Sequence, residues 1–226
     1  MFILRVQGEK EKSLEYHQKA FSIWFDLHGE NHIDTALALD GASASHRALG
    51  KNKEALEFAE RALAIREKVL GHLHPDTAGS FSNVGNAYAA LGDYSRALKC
   101  EEEALAIANE LFGARSPIKA NVLKNIAFVH YGRKELKKAL DAALESLALR
   151  RELFGDQHPQ TLSTVVDVAT IYCDLGRVHQ GIQLLDDYLK KIPKNHSHYE
   201  WFKDRSRDFH ARYFRPGFRQ QPGKRK

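Results

Sequence analysis

The sequence predicts an all-α protein in which antiparallel helix pairs stack in a row. A glycine recurs every 42 residues, at Gly29, Gly71, Gly113 and Gly155. His-Pro-like elements follow these glycines with the same step, and the apolar residues between them recur at intervals of three and four, as on one face of a helix. A helix pair of this size cannot bury its apolar face alone, so neighbouring pairs are expected to stack on one another.

The composition is that of a folded chain without a membrane span. Of the 226 residues, 43% are hydrophobic and 28% are charged, and no apolar run approaches the roughly 20 residues that cross a bilayer. The apolar opening is too short for a signal peptide. Cys100 and Cys173 lie at neither CxxC nor metal-ligand spacing, which is typical of free thiols in a reducing compartment. We therefore predict a cytoplasmic protein.

Residues 75–112 give the clearest helix pair. Pro75 suits the first position of a helix, where its missing N–H costs nothing, and His74 precedes it as a cap. An apolar stripe then runs to Gly92, a residue type that commonly ends helices, and a second stripe runs to Gly113. One repeat unit is thus predicted to be two helices joined by a short turn.

The same period divides the whole chain. Gly8 keeps the step of Gly50, Gly92 and Gly176, which places a turn at residue 8 and starts the chain in the middle of a repeat. The predicted organisation is a partial first unit, mainly its second helix, at 1–28; four helix pairs within 29–193, at about 33–70, 75–112, 117–154 and 159–191; a capping helix at 194–216; and a basic disordered tail at 217–226.

Six positions of the clearest unit carry a resemblance to a known family. Their spacing resembles the tetratricopeptide signature; they are Phe81, Val84, Gly85, Tyr88, Ala97 and Ala104. The 42-residue unit, with its connection at 70–78 and the string Arg-Ala-Leu-Ala-Ile at 61–65, is similar to the kinesin light chain repeats over about residues 8–191. This resemblance implies a right-handed superhelical solenoid whose first helices line a concave face.

The resemblance also implies where a peptide would bind. In the kinesin light chain repeats an asparagine of the first helix hydrogen-bonds the ligand backbone, and the matching positions here are Gly41, Asn83, Asn125 and Asp167. An amide offers both a donor and an acceptor, so it can pair with any peptide backbone. The alternative is that these side chains are only solvated. The predicted peptide-binding residues are Ser82, Asn83, Asn86, Asn121, Lys124, Asn125, Phe128, Asp167 and Thr170.

The sequence contains no catalytic motif. It has no nucleophile elbow, phosphate-binding glycine loop or paired carboxylates. Among the 12 histidines, the pairs at 72 and 74 and at 196 and 198 suggest metal binding, but no carboxylate or thiol cluster accompanies them. His74 and His158 recur at repeat connections, as caps would. We therefore predict a protein that is not an enzyme and holds no metal or cofactor.

Positive charge is concentrated at the C-terminus. Residues 203–226 carry nine Lys and Arg against two Asp, a local charge of +7 in a chain whose total is +5, which leaves −2 for the rest. A solvated cap and tail is one interpretation. Contact with nucleic acid, an anionic membrane or an acidic protein is a second, and a nuclear localisation signal is a third.

Two functions are consistent with these features. The first is an adaptor or scaffold that binds peptide segments of partner proteins on the concave face. The second is a regulatory or sensor segment of a larger signalling or enzyme protein.

Overall fold

The structure is a computed structural model that describes residues 2–213, with side chains from residue 9 onward. All of its assigned elements over that range are helices, so the all-α prediction is confirmed. In chain order they are α1 (Phe2–His28), α2 (Ile33–Ala48), α3 (Asn52–Leu70), α4 (Pro75–Ala90), α5 (Tyr94–Phe112), α6 (Pro117–Gly132), α7 (Leu136–Phe154), α8 (Pro159–Asp174), α9 (Val178–Lys191) and α10 (Tyr199–Tyr213). The end of the predicted capping helix, 214–216, and the predicted tail, 217–226, lie outside the described residues.

The first helix of each pair begins at a side-chain cap. The Nδ1 atoms of His32, His74 and His158 accept hydrogen bonds from the backbone N–H two residues later, at 3.2, 3.1 and 3.3 Å. At the start of α6, the hydroxyl of Ser116 accepts from the N–H of Lys119 at 3.0 Å. These bonds satisfy donors that a helix N-terminus leaves free. The predicted cap role of the connection histidines is confirmed.

A left-handed residue follows each of the four first helices α2, α4, α6 and α8. Gly50, Gly92 and Gly176 have φ values of 76°, 81° and 78°, and Lys134 takes the same place after α6 with φ 63°. For a residue with a Cβ this conformation costs about 1–2 kcal/mol. Lys134 replaces the repeat's glycine at this position but has the same left-handed backbone conformation.

The expected turn at Gly8 does not form. α1 continues through this residue from Phe2 to His28. A single glycine inside a helix costs only about 1 kcal/mol, and the Glu and Lys residues that follow Gly8 are good helix formers.

The chain divides into two compact units, and the first is Met1–Arg133. In it, each helix packs against the next one in sequence from α1 to α6, and in addition α4 contacts both α2 and α6. The first helices of successive pairs thus form one continuous layer. Part of the core beneath this layer consists of Ala36, Leu39, Ala62 and Ile65, with Phe21 and Phe58 packed against it.

The second unit is Lys134–Lys226, of which α7 to α10 are described. Here α8 packs against α7 and α9, and α10 packs against both α9 and α8. Phe202 of α10 is fully buried. Asp186 of α9 holds α10 through the hydroxyl of Ser206, which donates at 3.2 Å, and the Nε2 of His210 at 2.9 Å.

None of the helices described is long and apolar enough to cross a membrane.

Candidate functional site

The solvent-facing side of α2, α4 and α6, here called the first-helix face, collects most of the predicted binding residues. On α4, Val84 and Gly85 are buried, whereas the polar residues on either side of them are only half-buried. On α6, Phe128 is 57% exposed. Seven predicted residues of the first unit, none of them buried, belong to α4 and α6, which contact each other: Ser82, Asn83, Asn86, Asn121, Lys124, Asn125 and Phe128.

A partly buried ion pair orients Asn83. Its Nδ2 donates to Oδ1 of Asp40 on α2 at 2.9 Å, and the other carboxylate oxygen of Asp40 accepts from Nη1 of Arg66 at 2.5 Å. Arg66 comes from α3, is only 6% exposed, and also donates to the hydroxyl of Ser80. The amide of Asn83 is therefore held in one orientation, with its carbonyl oxygen directed away from the carboxylate.

A buried carboxyl group lies beneath α4 and α6. Glu101 of α5 is fully buried, and Oε2 of its carboxyl accepts a hydrogen bond from the hydroxyl of Ser82 at 2.9 Å. Burial raises the pKa of Glu101 to about 8, although hydrogen bonds from Ser82 and Asn125 oppose this shift. The carboxyl is therefore mostly protonated at neutral pH, and it connects two residues of the first-helix face.

Gly85 makes room for this carboxyl group. A Cβ at Gly85 would lie 3.0 Å from Oε1 of Glu101 and 3.2 Å from the carbonyl oxygen of Ala97. The signature glycine of this repeat thus allows α5 to approach α4 closely enough to bring Glu101 beneath the face.

The other two predicted residues lie on α8, in the second unit. The hydroxyl of Thr170 donates to the carbonyl of Val166 in its own helix at 2.8 Å. Asp167 is half-buried and interacts electrostatically with Arg150 of α7. Nη1 of Arg150 also donates to the hydroxyl of Thr164 at 2.7 Å. Burial lowers the pKa of Arg150, and Asp167 opposes that shift.

The sequence pattern did not lead us to predict the buried charged residues beneath the first helices. Arg66, Glu101 and Arg150 all come from second helices and are buried. The available signal was that each interrupts an apolar stripe, as Glu101 does between Ala97 and Ala104. Charged residues are almost never fully buried unless they are paired, so such an interruption indicates an internal polar contact.

Comparison with protein families gives one family model. The tetratricopeptide repeat model matches four overlapping stretches, at residues 2–68, 44–110, 76–152 and 118–190. Among curated proteins, no sequence matches the chain.

Solved structures share the fold at low sequence identity. A variant of the nearly identical TPR-like repeats of a protein described as a kinesin light chain, from Podosopora anserina, is 21% identical with a TM-score of 0.64, over 81% of this chain and 88% of that one. A Rap protein in complex with the Competence and Sporulation Factor is 18% identical with a TM-score of 0.76. The Rap conjugation gene regulator of plasmid pLS20, in complex with the Phr peptide, is 14% identical with a TM-score of 0.75. Each Rap match covers 94% of this chain but 56% of the Rap chain.

Proposed function

Because the chain belongs to the tetratricopeptide repeat family, we propose that its first-helix face binds a peptide segment of a partner protein, as an adaptor or scaffold does. Tetratricopeptide arrays are generally interaction modules that use the extended surface formed by their stacked repeats. One observation carries the proposal: Asn83 and Asn125 lie at equivalent positions of neighbouring first helices, where Asn83 donates a hydrogen bond to Asp40 and Asn125 lies beside the buried carboxyl of Glu101.

This arrangement suits a ligand that is recognised through its backbone. A side-chain amide held by an internal hydrogen bond does not have to be ordered when the peptide binds, which lowers the entropic cost of association. Phe128, at 57% exposure, offers an apolar contact on the same face. The peptide complex of the Rap conjugation gene regulator is consistent with this use of a related fold.

The test is selection of a displayed random-peptide library on the intact chain, followed by affinity measurement with the selected peptides. The double variant Asn83→Ala/Asn125→Ala should weaken binding by about tenfold or more, because lost hydrogen bonds are worth about 1 kcal/mol each and 1.4 kcal/mol is tenfold. Its circular dichroism should match that of the wild type.

A matched control lies on a second helix. Lys99 and Glu102 of α5 are exposed, so Lys99→Ala/Glu102→Ala should leave peptide affinity unchanged. If the asparagine double variant binds the selected peptides as tightly as this control does, the first-helix face is not the binding site.

A regulatory segment of a larger protein is the second candidate function. The observation that favours it is the match to Rap chains, of which this chain spans little more than half. Detection of a longer transcript that encodes a signalling or catalytic domain beside these repeats would support this function over a free-standing adaptor.

A further inference from the structure

The joint between α1 and α2 places two histidines and an aspartate together. His28 is the last residue of α1, His32 caps α2, and Asp34 lies in the first turn of α2. One ligand atom from each of the three lies within 4.8 Å of the other two. Among the side chains that the structure describes, no other group of three His, Cys, Asp or Glu residues meets this condition.

One residue distinguishes this joint from the others. The cap and first-turn residues recur 42 positions later as His74 and Asp76, but an imidazole ends the preceding helix only at His28. At the last joint a phenyl ring occupies that place, and Phe154 stacks on His158 at 4.7 Å. His28 keeps this stacking, at 4.2 Å from His32, and adds a ligand atom. The residues equivalent to His28 are Leu70, Phe112 and Phe154.

Two of the three ligand atoms already have suitable spacing. Nδ1 of His32 and Oδ2 of Asp34 are 3.5 Å apart, and two ligands about 2.0–2.1 Å from a tetrahedral ion are about 3.4 Å apart. His28 is exposed at the end of its helix, so its ring can rotate towards the same point. Nδ1 of His32 would exchange its cap bond from the Asp34 N–H for the ion.

We propose that His28, His32 and Asp34 bind a divalent first-row transition-metal ion, with Zn²⁺ the preferred occupant, and that this ion fixes α1 to α2. Two imidazoles and one carboxylate are ligands that suit Zn²⁺, and they leave a fourth tetrahedral position for water. The site lies at the end of the array of first helices and does not depend on peptide binding at the first-helix face.

The chain contains its own probe for this site. Trp24 stacks on His28 with ring centroids 5.5 Å apart and an interplanar angle of 13°. The other tryptophan is Trp201, so Trp201→Phe leaves Trp24 as the single tryptophan, whose emission is separated from that of the tyrosines by excitation at the red edge of its absorption. We expect Cu²⁺ to quench Trp24 fluorescence with saturation at one ion per chain, and calorimetric titration with Zn²⁺ alone to give the same stoichiometry.

Matched variants test the assignment without disturbing the fold. His28→Leu introduces the residue of the next joint, and His32→Ser introduces the cap found at Ser116. Each should lower Zn²⁺ affinity at least tenfold and abolish saturable quenching of Trp24, while circular dichroism stays unchanged. His74→Ser changes the cap histidine of the next joint, where Leu70 takes the place of His28. It should leave Zn²⁺ affinity and Trp24 quenching as in the wild type.

Two results would overturn the proposal. One is Zn²⁺ affinity in His28→Leu equal to that of the wild type. The other is an equal loss of affinity in His74→Ser, which would place the ion elsewhere among the 12 histidines.

Discussion

At the scale of single residues, Glu101 is the side chain whose position most constrains the chemistry of the first-helix face. Its carboxyl is fully buried, accepts a hydrogen bond from the hydroxyl of Ser82 and lies beside Asn125. Removing an ionised carboxylate from water costs several kcal/mol, so the group stays protonated instead. The hydrogen bond with Ser82 then involves a neutral acid, whose own O–H group can donate.

Glu101→Gln should change how stability depends on pH. The unfolded carboxyl ionises near pH 4.5 and the folded one near pH 8, so the folded state holds the extra proton between these values. The free energy of unfolding therefore falls as pH rises through this range, and it levels off above the folded pKa. At about 1.4 kcal/mol per pKa unit, the contribution is about 5 kcal/mol at most. A glutamine side chain cannot ionise, so urea denaturation across this range should show a flatter profile for the variant.

The exposed neighbour Glu102 provides the control for this experiment. Glu102→Gln should reproduce the pH profile of the wild type. A Glu101→Gln profile that is parallel to the wild type would show that Glu101 ionises in the folded state near its ordinary pKa.

The pattern of exposure along the first helices could be predicted from the sequence, but the contacts below them could not. The 42-residue step alone places Asn83 and Asn125 at equivalent, partly exposed positions. The bond from Arg66 through Asp40 to Asn83 depends instead on distances between three helices. A periodic pattern contains no information about those distances.

At the scale of elements, the helix pairs could be predicted well because each boundary has a local cause. The cap bonds of His74 and Ser116 and the left-handed conformation of Gly92 are set by residues within a few positions of one another. The prediction of a turn at Gly8 was wrong, because glycine permits a turn without requiring one. The match to the tetratricopeptide repeat model confirms the predicted repeat family, and the Podosopora anserina repeats share its fold.

Two glycines inside helices should respond in opposite ways to the same substitution. A Cβ at Gly181 of α9 would lie 2.7 Å from the carbonyl oxygen of Ala169 in α8, whereas a Cβ at Gly79 of α4 would meet nothing within 4 Å. Gly181→Ala should therefore lower the free energy of unfolding by about 1–3 kcal/mol, because overpacking outweighs the gain in helix propensity. Gly79→Ala should raise it by about 0.5–1 kcal/mol.

Chemical denaturation of both variants against the wild type measures these changes. Equal stabilisation by the two substitutions would mean that α8 and α9 can separate at Gly181 without loss of packing.

At the scale of the whole molecule, stability is distributed along the chain. Most helix contacts join elements that are neighbours in sequence, and α10 contacts α9 and α8. In such arrays each repeat stabilises chiefly its neighbours, so the free energy of unfolding is approximately a sum of local and nearest-neighbour contributions. A destabilising substitution near one end of the chain should therefore lower stability mainly at that end.

Phe202→Ala tests this distribution. Phe202 of α10 has no exposed surface, and truncating a buried Phe costs about 3–5 kcal/mol. Hydrogen exchange followed by mass spectrometry should show faster exchange in α8, α9 and α10, with protection in α2 to α5 unchanged, because opening of the last helices does not require the first ones to open. Trp201→Ala, at a neighbouring side chain that is 42% exposed, should change exchange little anywhere. A uniform loss of protection from α2 to α10 in Phe202→Ala would instead show that the chain unfolds as one cooperative body.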